Sequence, residues 1–242
     1  MLPTVGSDSS KIISYAAEVS GRVEGIAAGS ALVPDATKRT ALERSATRLA
    51  TGARELLAAF VARTTTEMFE QRRVVGHGRG IDRGFDAGVA TIAESLRTSL
   101  PDRTTTSPEY RAVFSTGSTD PFTSPTIKQD PELASDLRQR ITDSGSSAKV
   151  QMLSVIEALI PLVGPAAAAL TTGESAIQTQ WDAELLARKK IVDALWEEKR
   201  AVEQSLGRSG RGLARFAFFD FSEPGTPSSD TKTDPGVPPV AG

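Results

Sequence analysis

"ALERSATRLATGARELLAAF", residues 41–60, decides the fold. Leu42, Ala46, Leu49, Ala53, Leu56 and Phe60 follow one another at spacings of 4, 3, 4, 3 and 4. That rhythm lines up one face of an α-helix, whereas a strand face needs a period of two. Large and small side chains alternate along the seam, which favours close approach of a second helix. Asp35 stands where an N-cap belongs, just after Pro34 has broken the preceding chain.

The same rhythm recurs on either side. Ile12, Ala16, Val19, Val23 and Ile26 predict a helix from roughly Ser10 to Gly29, capped by Ser9 or Ser10. Downstream of the seam, "ARTTTEMFEQRRVV" continues the helix, and "GHGRG" at 76–80 is expected to stop it. A third helix runs over about Ile81 to Leu100 on Ile81, Phe85, Val89, Ile92 and Leu96, closed by Pro101. Residues 101–131 read as a long irregular loop, pinned by Tyr110, Val113, Phe114 and Phe122.

Helical patterning returns at Glu132–Asp143 and again at Ala148–Ile160, where "LIPLVGP" is expected to kink or end it. The last long helix is predicted from about Glu174 to Leu206, with Ile177, Trp181, Leu185, Val192, Leu195, Val202 and Leu206 on one side. "GRSGRG" stops it.

These elements specify an all-α protein: an elongated antiparallel helical bundle of four to five helices, with coiled-coil-like seams and a long irregular mid-chain loop. The expected organisation is a flexible segment over 1–9 and one bundle over 10–207, its halves at 10–100 and 132–207. A glycine hinge with a Phe-rich segment follows at 208–221, then a disordered Pro/Ser/Gly/Asp-rich tail over 222–242.

Composition excludes several chemistries. With 28 basic and 30 acidic residues the net charge is −2, so no nucleic-acid partner is expected. There is no cysteine, which removes disulfides, thiolate metal sites and cysteine nucleophiles, and fits a cytoplasmic location. "MLPTVGSDSS" lacks the features of a secretory signal. The most apolar window, 152–170, is interrupted by Glu157, Pro161, Gly164 and Pro165 and reads as a buried helix, with membrane insertion as the alternative.

His77 is the single histidine, and no Glu-x-x-His, G-x-G-x-x-G or G-x-S-x-G pattern accompanies it. No catalytic, cofactor-binding or metal-binding residue and no small-molecule substrate is therefore expected. Glu197, Glu198 and Glu203 read as a solvated face, and Trp181 and Trp196 as core or interface anchors.

Two features point instead to contacts. Gly21, Gly25 and Gly29 repeat every four residues on one helix face, as do Gly80, Gly84 and Gly88. A mid-helix glycine costs about 1 kcal/mol against alanine, so each ladder implies a close approach by another backbone. The second ladder is expected inside the bundle; the first faces a helix of the same chain or another subunit. The other feature is "RFAFFDF", which places Phe216, Phe218, Phe219 and Phe221, four of nine phenylalanines, at the edge of the tail. This is also the one stretch that reads like a strand. It either folds back to cap the bundle or docks as an extended segment on a partner. The functional expectation is a non-catalytic structural or adaptor protein, a scaffold working through protein partners or self-association.

Overall fold

The computed structural model describes residues 2–219; Met1, Phe221 and the expected tail over 222–242 lie outside them. The protein is all-α, and no strand occurs among the described residues. Two compact units form: one comprises Met1–Leu56 and Arg188–Gly242, the other Leu57–Ala187. The divisions fall inside two long helices.

In the first unit, α1 (Ser9–Ala28) opens on Asp8, whose carboxylate accepts the Ser10 amide at 2.8 Å; the cap is thus the acid one residue before the expected serines. Helix α2 (Ala36–Thr65) opens as expected on Asp35, which accepts from the Thr37 and Lys38 amides at 2.8 and 3.3 Å. The α1 seam and Leu42, Ala46, Leu49, Ala53 and Leu56 are all buried, along with Ile191, Val192, Leu195, Val202 and Leu206. Ser20 donates its hydroxyl to the Ala46 carbonyl at 2.8 Å, which brings α1 and α2 together at a small-residue position.

Glu198 corrects the expectation of a solvated acidic face. It is buried, accepting from Ser45 Oγ at 2.5 Å and from Arg48 Nη1 at 2.8 Å. A buried carboxylate persists only when hydrogen-bonded and paired, and here α2 supplies both partners.

Beyond α2 the chain does not stop. Thr66–Glu70 forms a π-helical turn, and α3 (Gln71–Ser99) passes straight through "GHGRG". Glycine lowers helix propensity without forbidding the helix, and packing overrides it: Gly78 lies against Leu170 and Ile127, with Val74, Val75 and Ile81 beside them. Phe85, Val89, Ile92 and Leu96 then enter the second unit's main core.

The mid-chain stretch is anchored by α4 (Pro108–Val113) and α5 (Asp120–Thr123). Ser107 caps α4 by accepting the Tyr110 amide at 3.2 Å. Tyr110, Phe114 and Phe122 stack in sequence at centroid distances of 5.2 and 5.9 Å, the second pair edge-to-face. Helix α6 (Asp130–Asp143) adds Ala134, Leu137 and Ile141 to the same core.

Helix α7 (Lys149–Leu206) runs through Pro161 and Pro165 without ending. Both prolines sit on the exposed side, so the carbonyls they leave without a donor can be solvated, while Ile156, Val163, Ala166 and Leu170 are buried. The predicted apolar side of α7 fails over one stretch. Trp181 and Leu185 are exposed and Glu184 is buried instead, because Arg63 claims this position. Its Nε donates to Glu184 at 2.5 Å, and its guanidinium stacks over the Trp181 ring at 4.2 Å.

Candidate functional site

The Phe-rich segment is helical rather than extended. α7 ends at Gly207, which adopts φ +66° and donates to the Glu203 carbonyl at 3.0 Å, a left-handed helix stop that suits glycine. Gly210 then packs on Leu206, and α8 (Arg211–Phe218) begins. At helical spacing Ala214, Ala217 and Phe218 turn inward and are buried, while Phe216 and Phe219 remain 46% and 38% exposed. Strand-like alternation of phenylalanines gives way because the glycine turn delivers the segment onto α1, where one amphipathic face can be covered.

Contacts from α1 fix α8 in place. The Tyr15 hydroxyl donates to the Phe218 carbonyl, and burial pushes that phenol up to about 12. Arg22 Nη1 donates to the Phe216 carbonyl at 2.6 Å, its guanidinium lies 4.9 Å from the Phe216 ring centroid, and Nη2 pairs with Glu18 at 2.6 Å. Carbonyls at a helix C-terminus lack intrahelical donors, so a phenol and a guanidinium supply them.

The result is an open groove of about 580 Å³ between α1 and α8, with Gly21, Gly25, Ile26, Leu32, Leu213 and Phe216 among its walls. A methyl group added at Gly21 or Gly25 would touch nothing within 4 Å. Among the described residues, no other helix occupies the glycine face of α1 at Gly21 and Gly25. Gly29 differs: a Cβ there would meet Leu32 Cδ1 at 2.9 Å, so it serves the turn after α1. Of the expected interaction residues, Gly21, Gly25 and Phe216 converge on the groove. Phe218 is core, Phe219 lies on a different cavity, and Phe221 is outside the described residues.

The second ladder separates in the same way. Gly80 and Gly84 meet nothing, contrary to the expectation of burial, whereas Gly88 lies directly under Leu159, with Val155 Cγ1 at 3.6 Å.

No family model, curated protein or solved structure matches this chain.

Other features lie outside the groove. The π-turn exposes Met68 and Phe69, a pair that sequence periodicity passed over because it fits no seam. In the second unit Asp130 is 1% exposed, and one carboxylate oxygen has no hydrogen-bond partner among the described residues. Burial, reinforced by Asp82 and Asp86 on α3, raises it to about 6; Asp86 is also raised, chiefly by burial. Among the described residues no group of three His, Cys, Asp or Glu side chains is arranged to hold a metal ion. His77 is exposed on α3.

Proposed function

We propose that this chain is a non-catalytic adaptor that assembles through the α1–α8 groove, with a second copy of itself as the first partner to test. One observation carries the reading: Gly21 and Gly25 expose bare helix backbone beside Leu32 and Phe216, and none of the described residues fills the space. Glycines at i, i+4 that pack nothing internally sacrifice helix propensity for no internal return, and a groove of this shape suits an apolar helix ridge. Sedimentation velocity between about 5 and 200 µM tests this, a range in which a micromolar dimer must dissociate and reform. A concentration-dependent dimer that Gly25→Leu abolishes, without lowering the melting temperature of the dilute monomer, supports the reading. A monomer throughout, or a dimer indifferent to Gly25→Leu, rejects it.

A second reading, membrane association through 152–170, is favoured by a separate observation. An 18-residue window of α7 has mean hydropathy 1.9, yet only 17% of it is buried. Co-sedimentation with neutral phosphatidylcholine vesicles that is lost on Leu162→Lys, at a 48% exposed site, would support it; absence of co-sedimentation would reject it.

A further inference from the structure

Where α7 turns into α8, a cavity of about 720 Å³ is lined by Arg200, Arg208, Arg211 and Arg215. This is a concentration of positive charge on a chain whose net charge is −2. Among the described residues none of the four side chains has an ion pair, hydrogen bond or ring contact. Several arginines elsewhere are paired, among them Arg22 with Glu18, Arg63 with Glu184 and Arg140 with Asp136. The acid that lines the cavity, Glu203, is already held by Lys199 at 2.8 Å. Four arginines thus line one space without a partner among the described residues.

The local backbone adds to this. Gly210, just before α8, supplies no side-chain cap, so the amides of the first turn keep their donors at the same corner where Arg211 stands. The corner is fixed in shape. Gly207 needs its left-handed φ of +66°, and a Cβ at Gly210 would collide with Leu206, including its carbonyl oxygen at 2.9 Å. Phe219 forms part of the wall, and Lys199 Nζ lies 5.5 Å from its ring centroid.

We infer that this cavity binds a small soluble anion carrying two or more adjacent phosphate groups. A planar guanidinium fork matches two phosphate oxygens at once, and several forks converging from different directions select clustered phosphates over a single carboxylate. A preset corner lowers the ordering cost of binding.

The test uses the full chain and inorganic tripolyphosphate, titrated calorimetrically at 50 and 150 mM salt. Single-site saturable binding is expected at both. Arg208→Ala/Arg211→Ala should weaken it at least tenfold, about 1.4 kcal/mol or more. Arg72→Ala/Arg79→Ala removes the same charge from exposed α3 sites that do not line this cavity and should leave affinity within about twofold. Both pairs lie on the surface, and circular dichroism verifies the fold.

No heat at 50 mM salt overturns the inference. So does equal weakening by both pairs, which would make the attraction diffuse. Binding that appears only in Asp220→Asn/Glu223→Gln overturns it in favour of the chain's own acidic tail, and binding to phosphoinositide vesicles without binding to tripolyphosphate overturns it in favour of a lipid surface.

Discussion

Gly25 on α1 and Gly88 on α3 belong to ladders of the same spacing, yet their surroundings are opposite. A side chain at Gly88 would run into Leu159, whereas one at Gly25 would enter open space. Glycine spacing thus reports that a helix face has been kept bare, but the reason depends on what stands opposite. In the second unit a branched side chain on α7 leans into the gap. In the first, the face borders a groove whose far wall is α8.

This contrast can be broken by substitution. The largest effect is expected at a third kind of glycine. Gly210 approaches backbone as well as side chain, and backbone cannot rotate away, so Gly210→Ala should cost about 3 kcal/mol in urea unfolding. A loss below about 1 kcal/mol would show that the α7–α8 corner is loose.

The second unit also holds a buried carboxyl group that titrates in the acid range. Asp130 titrates at about 6 when folded against 3.8 as its ordinary value, so the folded state holds the proton more tightly. Its stabilising contribution is complete below pH 3.8 and disappears as the pH rises through 6. Stability should fall by roughly 2 kcal/mol between pH 4 and 7 from this group. Asp130→Asn should flatten that slope, as measured by chemical unfolding across the range; an unchanged slope would remove Asp130 from the account.

Next comes Gly88→Ala. Leu159 must change rotamer, but its terminal methyl is mobile and alanine regains helix propensity, so a net loss of about 1 kcal/mol is expected. Smallest, and of opposite sign, Gly21→Ala and Gly25→Ala should each stabilise the dilute monomer by about 0.5–1 kcal/mol, seen as raised melting temperatures. Destabilisation by either would mean that the groove is filled in solution.

Much of the core was legible. The seams of α1, α2 and α3 are set by apolar spacing, and their buried residues from Ile12 to Leu96 follow it closely. The errors arose where local preference and packing compete. Gly76–Gly80 and the two prolines of α7 weaken helices locally, and only contacts remote in sequence, such as Leu170 on Gly78, keep the chain helical. The same applies to Glu184 and Glu198, whose burial depends on Arg63 and on Ser45 with Arg48, more than 100 residues away. Of the groove, spacing singled out Gly21, Gly25 and Phe216, but Leu32 and Leu213 join only once α8 folds back. The arginine cavity was hidden for a related reason. Arg200, Arg208, Arg211 and Arg215 are scattered through sequence of mixed character, and a two-glycine turn assembles them.

The exposed prolines of α7 also bear on the order in which the protein forms. A segment lacking two amide donors one turn apart makes a poor isolated helix, so 157–165 has little cause to coil before something lies against it. Val163 and Ala166 find that surface only when the second unit's core closes. The longest helix in the molecule is thus, at its apolar centre, among the last pieces to acquire its shape, and its amides there should be the first in that helix to exchange with solvent.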